Sequence, residues 1–269
     1  MHSLVVPTSP QRDRAVVAGW IAGAVARREK VLYRYTPTDD AATVLRRSLP
    51  GAGLDPAVLA TGQVWLADTT VLRAETGGRH DALYALHLEQ LRQATREGFA
   101  GLALVGDAAA MRNITRDNVE LAGYERDLER LAAEAGVRSL CRYPPDEEPG
   151  LLDEILAVHY RDVADDGWSV EVTGDRLRVR GEIDFLNADR LVPVLRAAMT
   201  AGVRSVDASE VEFCDVAGVR ALVSATDAVP PEARPMPVVV ADGLLAQLLT
   251  LTGVRDRGLL QVVESKTSG

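Results

Sequence analysis

Two acids stand where a chain can place chemistry: Asp107, closing the apolar run Leu102-Ala103-Leu104-Val105-Gly106, and Asp215, heading Val216-Ala217-Gly218-Val219. An apolar strand that ends in an acid is how nucleotide-hydrolysing enzymes hold magnesium. That chemistry also needs G-x-x-x-x-G-K-[ST] after the first strand. The loop there is Pro7-Thr8-Ser9-Pro10-Gln11-Arg12. It has no glycine to bring the backbone near phosphates and no lysine, and its prolines remove amide donors. Nucleotide hydrolysis by this route is not expected. Asp107 then keeps two readings: an acid lining a pocket at the carboxyl end of a sheet, where α/β folds bind ligands, or a turn cap. Asp215 reads as a helix N-cap, its carboxylate accepting the free amide hydrogens of the first turn. The start of that helix carries partial positive charge and suits a phosphate or a partner's acidic group.

Other reactive residue types are sparse. Tyr124 and Glu125 lie in a helical run with Leu121, Leu128 and Leu131, and Tyr124 falls on the apolar stripe, as core with its hydroxyl satisfied. His2, His80, His87 and His159 are scattered, with no i,i+4 pair beside an acid, so no metal site is expected and they read as solvated surface residues. Cys141 and Cys214 close strands as small, semi-buried residues; without a paired histidine neither reads as a nucleophile, and both fit reduced thiols better than a disulfide. Gly51-Ala52-Gly53 fails the dinucleotide fingerprint, since Pro56 replaces the third glycine. No cofactor is expected.

The elements that position these residues alternate. Leu4-Val5-Val6, Val31 to Tyr35, Val64 to Leu66, Leu102 to Val105 and Ser139 to Tyr143 read as strands. Between them fall helices carrying Val17 to Val25, Val44 and Leu45 (capped by Thr38 or Asp39), Tyr84 with Leu88 and Leu91 up to Gly98, and Leu121 to Leu131 closed by Gly136. Asp55-Pro56 opens a short helix. This alternation predicts an α/β unit with a largely parallel sheet. Pro144 to Gly150 reads as a linker, followed by the apolar helix face of Leu151, Leu152, Ile155, Leu156 and Val158. That helix is expected to pack on the first domain, so the boundary is placed near Asp165-Asp166-Gly167. Beyond it, Val203 to Val206 reads as a short strand, followed by a polar turn, Phe213 and the Asp215 helix.

The 269 residues suffice for two domains, each with its own core. A net charge of −9 and the lack of a basic stripe or helix-turn-helix argue against nucleic-acid or anionic-membrane partners. No run of 18 apolar residues and no apolar N-terminal signal core occur, so a cytoplasmic protein is expected. Lysine occurs only at Lys30 and Lys266, a bias that fits a high-GC genome.

The order of a strand, Asp207, a turn, Phe213 and then Asp215-Val216-Ala217-Gly218 resembles the core of STAS domains, the fold of anti-sigma factor antagonists. Gly181-Glu182-Ile183-Asp184 and the helix from Leu244 to Gly253 extend the resemblance over residues 166–264, leaving 265–269 as a tail. It implies a mixed sheet with helices. It also implies a docking face of Asp184, Phe185, Asp215, Val216, Ala217 and Gly218 for an anti-sigma factor of the serine-kinase type, with Phe185 as an apolar anchor. In switchable members the third loop position carries the hydroxyl that is phosphorylated. Ala217 has none, so that switch is absent here.

The first half resembles the MEDS family of sensory domains. The resemblance rests on His2, Arg27 to Leu32, Thr61-Gly62-Gln63-Val64, Gly98-Phe99-Ala100-Gly101-Leu102, Tyr124-Glu125 with Leu128, and Leu140-Cys141-Arg142-Tyr143. It covers residues 1–165 and implies a RecA-like or Rossmann-like three-layer α/β fold without a working phosphate loop. Such a domain would sense a small molecule, with Asp107, Tyr124 and Glu125 as ligand-sensing candidates. The whole is expected to be a non-enzymatic regulator whose first domain controls anti-sigma binding by the second. The alternatives are an oligomeric scaffold formed with itself or other STAS proteins, and a degenerate RecA-like nucleotide binder.

Overall fold

Every apolar run marked as a strand in the first half pairs with another strand. The computed structural model describes residues 1–38, 40–241, 243–254 and 258–264, and the chain divides into two compact units, Met1–Leu151 and Leu152–Gly269. The first unit runs β1 (His2–Val5), α1 (Pro10–Ala26), β2 (Glu29–Tyr35), α2 (Ala41–Ser48), β3 (Val64–Asp68), α3 (Thr69–Thr76), α4 (His80–Arg96), β4 (Gly101–Asp107), α5 (Ala108–Ile114), α6 (Asn118–Ala135) and β5 (Arg138–Arg142). The strand order is β3-β2-β4-β5-β1, and each neighbouring pair is parallel. Leu102, Ala103, Leu104 and Val105 of central β4 are buried without alternation, as in a parallel strand covered on both faces.

Local signals set the boundaries. Ser9 caps α1, with Pro10 in its first turn. Asp117 caps α6, and Gly136 ends it in the left-handed conformation. The short helix opened by Asp55-Pro56 is present as expected, as a 3-10 helix at Pro56–Ala60 capped by Asp55. Two expectations need correction. The cap of α2 is Asp40, whose carboxylate accepts from the Thr43 amide at 3.2 Å, and not Thr38; Asp39 lies outside the described residues. In α4 the buried face is Leu83, His87 and Ala94, while Tyr84, Leu88 and Leu91 are only half-buried. Helices α3 and α5 are only about two turns long, too short to show a 3.6-residue period.

α7 (Pro149–Val158) begins inside the stretch read as a linker. The second unit continues with β6 (Asp162–Ala164), β7 (Trp168–Thr173), β8 (Arg176–Ile183), α8 (Ala188–Thr200), β9 (Ser205–Cys214), α9 (Val216–Ala225), β10 (Met236–Val240), α10 (Leu244–Leu251) and β11 (Leu260–Glu264). Its strands lie in sequence order from β6 to β11. The β6–β7 and β7–β8 pairs are antiparallel, and those from β8 to β11 are parallel. This is the expected mixed sheet.

The polar turn expected after Val206 is absent. β9 stays extended to Cys214 and absorbs two extra residues against β8: Arg178 and Arg180 face Asp207 and Glu210, then Gly181 and Glu182 face Val211 and Phe213. Such bulges leave residues unpaired and bend the strand; Asp207 fills the first by accepting from the Ser209 amide and hydroxyl. Gly181 has a different constraint. Its φ is +92°, and a Cβ there would sit 2.2 Å from the Gly167 carbonyl oxygen. No described helix is long and apolar enough to cross a membrane.

Candidate ligand and docking sites

Because neighbouring strands of the first unit are parallel, β4 and β5 end together, with Asp107 opposite Arg142. Arg142 is buried; its Nη1 donates to Asp13 of α1 at 2.6 Å and its Nη2 to Asp107 Oδ2 at 3.4 Å. Burial opposes its charge, but Tyr33, Asp13 and Asp107 outweigh that and raise its pKa. Asp107 Oδ1 accepts from the Ala110 amide at 2.8 Å, so this carboxylate caps α5 and also faces a guanidinium at the carboxyl edge of the sheet. Sequence reasoning missed Arg142 and Asp13. The signal available was a cation at the end of the otherwise apolar Leu140-Cys141-Arg142-Tyr143. A separate cleft of about 820 Å³ between α1 and α2 is lined by Arg14, Val44 and Arg47 among others; Asp107, Tyr124 and Glu125 are not among its lining.

Tyr124 and Glu125 are wholly buried on α6. The Tyr124 hydroxyl accepts from Arg34 Nη1 and lies 2.6 Å from His87 Nε2. It is a core tyrosine with a satisfied hydroxyl. Burial, with Arg34 as the next cause, pushes His87 down to about 3, so this imidazole is neutral. Glu125 receives the Tyr143 hydroxyl on Oε1 at 2.6 Å, while Oε2 lies 3.1 Å from Cys141 Sγ and 3.2 Å from His2 Nε2.

Two expectations fail here. His2, His87 and His159 are buried and not solvated, and Cys141 does have a histidine neighbour, His2 Nε2 at 3.4 Å. Parallel pairing of β1 with β5 sets Leu4 opposite Cys141, placing His2 and Cys141 on one face, since alternate residues share a side. The two are 139 positions apart, beyond any local spacing rule. Burial, then the Glu125 charge, pushes the Cys141 thiol well above its ordinary pKa, the opposite of an activated nucleophile.

In the second unit β8 and β9 end side by side, Ile183 opposite Cys214. Asp215 Oδ1 accepts from the amides of Ala217 at 2.7 Å and Gly218 at 3.1 Å, capping α9 as read from sequence. Its Oδ2 accepts from the Phe185 amide at 3.0 Å, tying the two loops together. Asp184 Oδ1 accepts from the Leu186 amide. Asn187, absent from the sequence reading, braces the same loop: Oδ1 accepts from the Asp184 amide and Nδ2 donates to the Glu182 carbonyl, both at 3.0 Å. On this fixed loop Phe185 is 73% and Leu186 67% exposed, with Phe213, Val216 and Leu244 also exposed. Gly218 is buried, and a Cβ there would lie 2.6 Å from Cys214 Sγ.

The family model for MEDS, the methanogen/methylotroph, DcmR sensory domain, matches residues 1–160. A STAS model described as Mlab, STAS domain, matches residues 168–263. Among solved structures, an anti-sigma factor antagonist from Mycobacterium paratuberculosis aligns at 25% identity over 35% of this chain and 82% of its own, with a TM-score of 0.31. The cytoplasmic domain of EssC aligns at 13% identity over 67% of this chain and 39% of its own, with a TM-score of 0.38. No curated protein matches. The two family matches define a signalling regulator in which a sensory unit precedes a regulatory one, neither of an enzymatic family. The chain belongs to the MEDS family, and its C-terminal part is a STAS domain.

Proposed function

We propose that residues 166–264 dock onto an anti-sigma factor of the serine-kinase type, and that residues 1–165 control this docking by sensing a small molecule in the cytoplasm. The observation that carries the reading is the exposed apolar pair Phe185 and Leu186, held on a hydrogen-bonded loop beside Asp184, Asp215 and the start of α9. An apolar anchor fixed before binding loses little freedom on docking, and flanking acids give charge complementarity. Ala217 offers no hydroxyl at the loop position where relatives are phosphorylated, so control falls to the first unit. Asp107, with Tyr124 and Glu125 deeper in the fold, would report ligand binding there. Moving a docking-competent state from 1:99 to 99:1 requires about 5.5 kcal/mol of differential ligand affinity, so the ligand must fit one state closely.

The test is capture from native lysate on immobilised full-length chain, with Phe185→Ser as the control. Asp215→Lys is a poor control, because it removes a helix cap and the Phe185 amide's acceptor together. An anti-sigma kinase enriched by the parent and lost with Phe185→Ser supports the reading. Recovery of STAS proteins alone replaces it with a scaffold, and equal recovery by both chains removes Phe185 from the docking face.

A further inference from the structure

The cluster around Glu125 has a geometry that neither docking nor sensing at Asp107 uses. Imidazole, carboxylate and thiol meet there: His2 Nε2 to Glu125 Oε2 is 3.2 Å, Cys141 Sγ to Glu125 Oε2 is 3.1 Å, and Cys141 Sγ to His2 Nε2 is 3.4 Å. All three residues are buried, and each comes from a different element, β1, α6 and β5. Zinc bonds of about 2.0–2.3 Å to N, O and S, arranged tetrahedrally, require ligand-to-ligand edges of roughly 3.3–3.6 Å. The N–O edge at 3.2 Å and the S–N edge at 3.4 Å meet that within about 0.2 Å, and the S–O edge at 3.1 Å is about 0.4–0.5 Å shorter than a bound ion would set it.

We infer that His2 Nε2, Glu125 Oε2 and Cys141 Sγ form one face of a site for a divalent transition metal, with Zn²⁺ as the fitting ion. The mixed N, O and S set excludes Mg²⁺ and Ca²⁺, which take all-oxygen shells, and suits zinc. The surroundings also match a metal centre. Tyr143 donates to Glu125 Oε1 at 2.6 Å, which turns Oε2 toward the other two ligands. His2 Nδ1 faces the Glu129 carboxylate at 3.5 Å, which orients the ring with Nε2 inward. Hydroxyl and carboxylate partners of this kind fix first ligands at metal sites. A thiol and a carboxylate buried together carry a high cost if both ionise unpaired; a dication between them removes it. The inference does not depend on the proposed anti-sigma partner.

The test uses the full chain purified without a polyhistidine tag. Elemental analysis after growth in zinc is expected to give one zinc per chain, falling at least tenfold in Cys141→Ser and Glu125→Gln. Unfolding, chelation and refolding with Co²⁺ should produce a thiolate-to-cobalt charge-transfer band in the near ultraviolet, absent in Cys141→Ser. Tyr143→Phe should keep the band and weaken affinity about 10- to 100-fold, as outer partners do. A wild-type chain that carries no metal, shows no cobalt band on refolding and melts at the same temperature with and without chelator would overturn the site, leaving a closed hydrogen-bonded cluster. The wild-type measurements decide this even if a variant fails to fold. Metal at undiminished stoichiometry in folded Cys141→Ser and Glu125→Gln would place it elsewhere and overturn the assignment too.

Discussion

The two units treat polar side chains in opposite ways. The first buries a chain of them between sheet and helix: Arg34 to Tyr124 to His87, and beside it His2, Glu125, Cys141 and Tyr143. In the second, buried polar groups mostly serve backbone close by. Asn187 holds the Glu182 carbonyl and the Asp184 amide, Asp207 fills a bulge, and Thr226 bonds the Val223 carbonyl. Its large apolar side chains Phe185 and Leu186 stand outside instead. A buried polar network is costly unless satisfied, and then it specifies one arrangement; an exposed apolar loop is tolerated for what it binds. The difference teaches where each unit is sensitive: the first to charge and protonation inside, the second to backbone shape and surface composition.

The largest effect should come from shape. Gly181→Val forces a branched side chain onto a backbone at φ +92°, with its Cβ at 2.2 Å from the Gly167 oxygen. Positive-φ strain and overpacking each cost about 1–3 kcal/mol, so a loss of roughly 3 kcal/mol is expected in the second unit. Denaturant unfolding followed by the emission of buried Trp168, with Trp20 and Trp65 of the first unit replaced by Phe in both chains compared, would measure it, and the loss should not vary between pH 5 and pH 7. A pH-dependent loss would mean that charge governs this unit as well, which would break the comparison.

Acid tests the first unit, with a smaller effect. The folded pKa of His87 lies at about 3, below its ordinary 6.5. As pH falls through 6.5 the unfolded chain takes up this proton and the folded chain does not. The stabilisation is therefore complete above 6.5 and is lost progressively towards pH 3, at about 1.4 kcal/mol per pH unit. Between pH 6.5 and pH 5 that is about 2 kcal/mol. His2 runs the other way. Burial opposes its charge, but hydrogen bonds to Glu125 and Glu129 raise its pKa, so with no metal on Nε2 its contribution is present at low pH and is lost as pH rises through the raised value. The difference in stability between wild type and His87→Gln across this window isolates the His87 part. No difference would mean that water reaches the ring.

Much of this was legible in the sequence, for reasons that residues make plain. Capping acids, the C-cap Gly136 and the unbroken Leu102 to Val105 strand are local signals read within a few residues. Asp184, Phe185, Asp215, Val216, Ala217 and Gly218 are carried on two neighbouring strand ends for the same reason, since each motif is short and contiguous. The buried cluster was not legible. His2 and Cys141 meet only through the β1–β5 register, and Glu125 reaches them from a helix whose inward turn is fixed by packing. Asp207 to Glu212 misled in the other direction. A polar run reads as a turn, yet an extended strand with two bulges holds it. Asn187 went unread because its role lies in the carbonyl and amide it braces, which a single polar letter does not reveal.

The smallest expected change in stability belongs to the Phe185–Leu186 loop, and there it is most informative. Phe185 and Leu186 point to solvent while the loop backbone is held by Asp184, Asn187 and Asp215. Replacing both by serine removes no described hydrogen bond of that frame, so stability should change by no more than about 0.5 kcal/mol, as for ordinary surface positions. Solubility should rise and any self-association through this face should fall, measured by light scattering against concentration. A melting temperature that drops by several degrees would show instead that the pair packs against the unit it belongs to. The second unit would then keep its apolar surface for itself, and the contrast with the first would rest on the buried network alone.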